Sequence, residues 1–238
     1  MKTLQIILIT LSTLSGCTKQ AGNLPAATNN TTTMPATDSL NYLALGDSYT
    51  IGEAVPQDQS YPYQLTNALN MQSFKVKSPT IIATTGWTTD DLIDAISKSS
   101  IHANTYDFVT LLIGVNDQYQ GLSQDNYKTK FAQVLSTAIA FANGNANRVF
   151  VLSIPDYGVT PFANGQDSVI GPQIDQFNAK NKSISVAAGV NYLDITAISR
   201  MAATDPTLIA PDGLHPSGKM YMLWINLLEP MVAAQLKK

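Results

Sequence analysis

From Leu40 onward the chain alternates between two patterns of apolar and polar positions. Short unbroken apolar runs predict strands buried on both faces, and apolar positions three and four apart predict amphipathic helices. Residues 42–45 (Tyr-Leu-Ala-Leu) predict the first strand, and residues 62–70 a short helix with Pro62 in its tolerant first turn. Residues 74–83 read as extended, interrupted at Pro79. A helix capped by Thr88 or Thr89 comes next, with Asp90 and Asp91 favoured by the helix dipole and Leu92, Ile93 and Ile96 on its buried face. Residues 108–113 form the clearest buried strand and run into Gly114.

The second half repeats the alternation. Tyr127, Phe131, Val134, Leu135, Ala138 and Ala142 mark a helix that Asn143-Gly144 should end. Residues 149–154 predict a strand, followed by the loop Pro155-Asp156-Tyr157-Gly158. Ile170, Ile174, Phe177 and Ile184 predict a helix closing at Gly189, and residues 192–195 the last strand. Met220, Leu223, Trp224, Leu227, Leu228 and Met231 stand at helical spacing in a final helix, which Pro230 should kink or end. This spacing is that of core packing and does not suggest a cofactor box. Alternation without an internal repeat predicts a three-layer α/β/α sandwich around a mostly parallel sheet, spanning residues 39–238.

The segment before that domain has a different character. Lys2 precedes a mostly apolar stretch, residues 4–14, too short to span a bilayer as a permanent helix. The stretch ends in Leu14-Ser15-Gly16-Cys17, which resembles the bacterial lipobox, with residues 1–17 as a lipoprotein signal peptide and Cys17 as the lipidated residue. Residues 18–38 are rich in Thr, Asn, Ala and Pro and lack the apolar surface to fold, so they predict a flexible tether. As a coil of about 20 residues it would span roughly 25 Å. The expected location is therefore the bacterial cell envelope, with the domain anchored to a membrane through lipid on Cys17.

Composition narrows the chemistry. The 238 residues are 45% hydrophobic and carry a formal net charge of -3, which offers no electrostatic footprint for nucleic acid. A single cysteine rules out an intrachain disulfide and a thiolate zinc site. With two histidines, an imidazole base must be His102 or His215. His102 has no acid beside it and precedes a strand, so a solvated loop position is expected for it.

In a parallel sheet the loops after the strands share one edge, and ligands collect there. The segments Gly46-Asp47-Ser48, Thr85-Gly86-Trp87, Gly114-Val115-Asn116-Asp117 and Asp212-Gly213-Leu214-His215 carry the groups able to do chemistry. Taken singly each has a plain structural use: Ser48 could cap a helix, Gly86 could make a turn, and Asn116 an Asx-turn. In this order along the chain, together they resemble the SGNH hydrolase superfamily, which includes the GDSL esterases and lipases.

That resemblance implies an SGNH/flavodoxin-like fold and a serine hydrolase acting on ester bonds. Ser48 corresponds to the nucleophile, His215 to the general base and Asp212 to the acid that orients it. The backbone N–H groups of Ser48 and Gly86 and the side-chain amide of Asn116 correspond to the oxyanion hole. No cofactor or metal is implied. The expected substrates are acylated carbohydrates, lysophospholipids or short- to medium-chain esters. Tyr49 stands where the usual motif has leucine; with Trp87 and Tyr157 it is a candidate wall of the substrate pocket. Asp47 and Asp117 are expected to hydrogen-bond loop backbone and steady their neighbours. Two other classes of function compete: a metal-dependent phosphohydrolase built on Asp47, Asp117 and Asp212, and a non-catalytic glycan-binding surface lipoprotein.

Overall fold

The computed structural model describes residues 39–238. The expected signal peptide, Cys17 and the expected tether lie outside the described residues. Within the described region β1 (Tyr42–Gly46) leads into a four-residue helix α1 (Ser48–Ile51), then α2 (Tyr61–Met71) and β2 (Thr80–Ala83). Helix α3 (Thr89–Lys98), β3 (Phe108–Leu112), α4 (Val115–Tyr119) and α5 (Gln124–Phe141) follow. The chain continues through β4 (Val149–Leu152), α6 (Asp167–Ala187), β5 (Asn191–Leu193), α7 (Thr196–Arg200) and α8 (Gly218–Leu236).

The five strands form one sheet in the order β2-β1-β3-β4-β5, with every pair parallel. Helices α2 and α8 pack together, as do α3 with α5 and α5 with α6, so the sheet is covered on both faces. The apolar runs have that cause: every residue of β1, β3 and β4 is buried and none can be polar without a partner. Thr110 is the polar residue in the middle of the sheet, and its hydroxyl is paired with the phenols of Tyr42 at 2.7 Å and Tyr61 at 3.1 Å.

Several predicted boundaries shift. The strands end earlier than their apolar runs, because Ile113, Ile154 and Ile195 are buried in the loops beyond the sheet. Pro230 does not end the last helix, and α8 continues to Leu236. Leu228, Val232 and Ala233 on either side of Pro230 are buried, and that packing holds the helix across the hydrogen bond the proline cannot make. Trp224 and Met220 lie in the core, as their spacing indicates, whereas Leu227 is exposed.

This strand order fixes where a site can form. From β1 the chain crosses to β2 on one side, and β3 lies on the other. The carboxyl ends of β1 and β3 therefore flank the crevice where connections leave the sheet in opposite directions. Ser48 follows β1 directly, and Asn116 follows β3.

Candidate active site

The site is built outward from the end of β1. Asp47 caps α1, its Oδ1 accepting the Tyr49 N–H at 3.0 Å, and this puts Ser48 at the first helical position. The helix folds straight back onto the strand that precedes it. A Cβ on Gly46 would lie 2.1 Å from Thr50 Oγ1 and 2.3 Å from the Leu112 carbonyl, so only glycine permits the turn. Asp47 is fully buried. Desolvation, with a lesser contribution from Asp117, raises its carboxyl to about 8, although the Tyr49 N–H pulls the other way.

The loops after β2 and β3 are locked together. Asn116 Nδ2 donates to the Trp87 carbonyl at 2.9 Å. Its neighbour Asp117 accepts from the N–H and the hydroxyl of Thr89 at 2.9 and 3.0 Å. Burial pushes Asp117 up to about 6 against the pull of those bonds. Thr88 and Asp91 close a reciprocal capping box at the start of α3, so the segment from Gly86 to Thr89 is held from both ends. Gly114 turns into α4 at φ 125°, and a Cβ there would meet the Tyr127 ring at 2.6 Å. Among the described residues, neither the Ser48 nor the Gly86 backbone N–H has a turn, loop or side-chain acceptor.

His215 arrives from a tight loop ahead of α8. The loop is stapled by Ala210 N–H to His215 carbonyl and Ser217 N–H to Leu208 carbonyl, both at 2.8 Å. Inside it, Asp212 Oδ1 accepts the N–H groups of Leu214 and His215 at 3.0 Å each, and Oδ2 meets His215 Nδ1 at 2.5 Å. The three-residue spacing is what allows one carboxylate to hold both the loop and the ring. Burial raises the Asp212 carboxyl, but the bonds from His215 and Leu214 outweigh it and the net shift is downward. An ionised Asp212 assigns the proton to Nδ1 and leaves Nε2 as an acceptor. No hydrogen bond closes between Ser48 and His215, a looseness common before substrate binds.

Ser48, Gly86, Asn116 and His215 line a single cleft of about 140 Å³. Tyr49 and Tyr157 also line it, and the Tyr49 ring lies 5.4 Å from the His215 imidazole. Trp87 does not line the cleft, contrary to expectation. Its side chain packs half-buried against the core, and it is the carbonyl that serves the site. The other walls are Thr85, Val115, Leu214, Tyr119 and Phe162. The sequence carries no local mark of Tyr119 as a wall, and marks Phe162 only as a large apolar residue in the turn-rich stretch Thr160-Pro161-Phe162-Ala163-Asn164-Gly165. His102 is exposed and bonds through Nε2 with the Ser97 carbonyl, outside the cleft. The carboxylates of the metal reading are committed separately: Asp47 to Tyr49, Asp117 to Thr89 and Asp212 to His215. Among the described residues, no group of three or more His, Cys, Asp or Glu could hold a metal ion.

No curated protein sequence matches the chain. Solved structures similar to it include TesA, with 14% identity, a TM-score of 0.66 and coverage of 82% of this chain and 99% of that one. Phospholipase A1 from Streptomyces albidoflavus NA297 matches with 20% identity, a TM-score of 0.60 and coverage of 83% and 100%. The acetylxylan esterase Axe2 from Geobacillus stearothermophilus matches with 18% identity, a TM-score of 0.61 and coverage of 84% and 94%. At these identities the likeness is one of fold. Residues 44–223 match the GDSL-like Lipase/Acylhydrolase family, a span from β1 into α8 that takes in every loop of the cleft, and the chain belongs to that family of ester hydrolases.

Proposed function

We propose that the protein is a serine esterase that hydrolyses carboxylic esters through an acyl-enzyme on Ser48. One observation carries the reading: the cleft that Ser48 lines is also lined by a histidine already oriented by a carboxylate at 2.5 Å. Ser48 Oγ attacks the ester carbonyl carbon, and its proton passes to His215 Nε2. Asp212 stabilises the imidazolium that forms. The N–H groups of Ser48 and Gly86 and the second N–H of Asn116 Nδ2 hold the oxyanion of the tetrahedral intermediate. Collapse breaks the bond to the alcohol oxygen, which takes the proton from Nε2 and leaves. A water then gives its proton to His215, attacks the acyl carbon, and releases the acid while Ser48 regains its hydrogen.

The candidate substrates are acylated carbohydrates, lysophospholipids and short- to medium-chain esters, reached by a domain tethered at the cell envelope through lipid on Cys17. Hydrolysis of p-nitrophenyl butyrate by wild type and by Ser48→Ala, with and without EDTA, tests the catalytic part. Turnover abolished by Ser48→Ala and indifferent to EDTA is the expected result. Equal turnover by both proteins, or turnover lost to EDTA, overturns it. The anchor is tested by the mass of the mature N-terminus, which should be an acylated Cys17.

A further inference from the structure

The cleft has two unlike ends. Its hydrogen-bonding groups gather around Ser48, where the Ser48 and Gly86 N–H groups and His215 Nε2 stay open for the reaction while Asn116 donates to the Trp87 carbonyl and the Thr85 hydroxyl to Glu53. The other end is a cluster of three rings. Tyr119 lies 6.1 Å from Tyr157 and 6.0 Å from Phe162, and Tyr157 lies 6.3 Å from Phe162. Two of these rings are unusually open to solvent for their size, Tyr119 at 59% and Phe162 at 48%. Aromatic side chains left exposed together beside a cleft mark a surface that a ligand covers.

Their geometry selects among ligands. The ring planes meet at 72°, 46° and 62°, so the three rings share no common flat face and together make an apolar funnel. No lysine or arginine lines the cleft, which leaves a phosphate without a partner there. Apart from the phenol hydroxyls, the lining away from Ser48 is apolar, so a glycan would find fewer partners there than an acyl chain. The funnel is rigidly placed relative to the chemistry. The Phe162 N–H donates to the Gly213 carbonyl at 3.0 Å, tying that ring's turn to the loop that carries Asp212 and His215. Behind Tyr157, Asp156 is buried, accepts from Gly158 N–H at 2.8 Å and pairs with Arg200 at 2.8 Å.

We propose that Tyr119, Tyr157 and Phe162 grip the apolar acyl chain of the substrate, making the protein selective for uncharged esters of medium-length acids over acetyl esters. The proposal rests on the esterase reading and specifies its substrate class. The cleft volume of about 140 Å³ is several times that of one water at roughly 30 Å³, room for several methylenes beyond an acetyl group. Each methylene buried in the funnel should raise kcat/KM by about fourfold until the space is filled.

The test is the profile of kcat/KM for p-nitrophenyl esters from acetate to decanoate, kept below aggregation, for wild type, Tyr119→Ala and Phe162→Ala. Wild type should rise from acetate to a maximum at about six carbons, where four methylenes of about 30 Å³ each take up most of the cleft of about 140 Å³. The octanoate-to-acetate ratio should fall by about tenfold in each variant, and Phe162→Leu, which keeps an apolar side chain, should fall less. Both truncated rings are half-exposed, so the variants should keep the fold. A wild-type maximum at acetate, a ratio unchanged in both variants, or faster turnover of an acetylated monosaccharide than of octanoate overturns the proposal. Labelling by a methyl fluorophosphonate, which carries no acyl chain, separates the two claims. A labelled enzyme with a flat profile sinks the grip alone, whereas an unlabelled one sinks the esterase reading and the grip with it.

Discussion

Replacing Asp212 with asparagine isolates one hydrogen bond of the proposed mechanism. The carboxylate accepts three bonds: Leu214 N–H and His215 N–H on Oδ1 at 3.0 Å, and His215 Nδ1 on Oδ2 at 2.5 Å. Asparagine has the same shape and keeps a carbonyl oxygen for the two backbone bonds, so the loop should persist. What changes is the group facing Nδ1, now an N–H donor in place of an acceptor. The imidazole answers by moving its proton to Nε2, the atom that must receive the proton of Ser48. A base already carrying that proton cannot act, and by the behaviour of other serine hydrolase triads kcat should fall by about 10⁴-fold. This is about 5 kcal/mol of barrier. The measurement is kcat for p-nitrophenyl hexanoate beside thermal unfolding of the same preparation. A loss under about tenfold with the fold intact would show that Asp212 does not set the tautomer.

Other consequences are equally open to measurement. Asn116→Ala deletes an oxyanion donor and should lower kcat by about 10²–10³-fold with little change in KM; a change confined to KM would reassign Asn116 to ground-state binding. Gly114→Ala forces a Cβ to within 2.6 Å of Tyr127 at a φ of 125°, and should cost about 2–4 kcal/mol in urea unfolding. An unchanged urea midpoint would mean the turn has room that its geometry denies. Asp47 holds its proton in the folded chain up to about 8 but loses it near 3.8 when unfolded, so its contribution to stability is complete below about pH 4 and drains as pH rises through 8. Asp47→Asn, which keeps a neutral cap, should therefore flatten the decline in Tm between pH 4 and 8; a decline as steep as that of wild type refutes the assignment to Asp47.

The parts of the fold legible in the sequence are those under the tightest constraint. Residues 42–45 and 108–112 must be apolar, but for Thr110 with its paired hydroxyl, because β1 and β3 are covered on both faces, and no surface helix would tolerate such runs. The Asp-x-x-His spacing was readable for a related reason, since one carboxylate has to serve a loop and a ring at once. Long-range packing was not readable. Nothing local says that Pro230 will be carried through a helix by buried neighbours on both sides. Phe162 and Tyr119 are 43 positions apart in sequence numbering yet meet at 6.0 Å, a contact made by the turn between β4 and α6. Trp87 misled because its type suggested a pocket wall, whereas the site uses its backbone carbonyl, a group every residue has.

The claim that Ser48 is the nucleophile is tested most directly by a serine-directed fluorophosphonate, with intact-mass analysis and peptide mapping of wild type and Ser48→Ala. One adduct is expected on the wild-type chain, located on Ser48, and none on the variant. An unmodified wild type, or an adduct that maps to another residue, would contradict it.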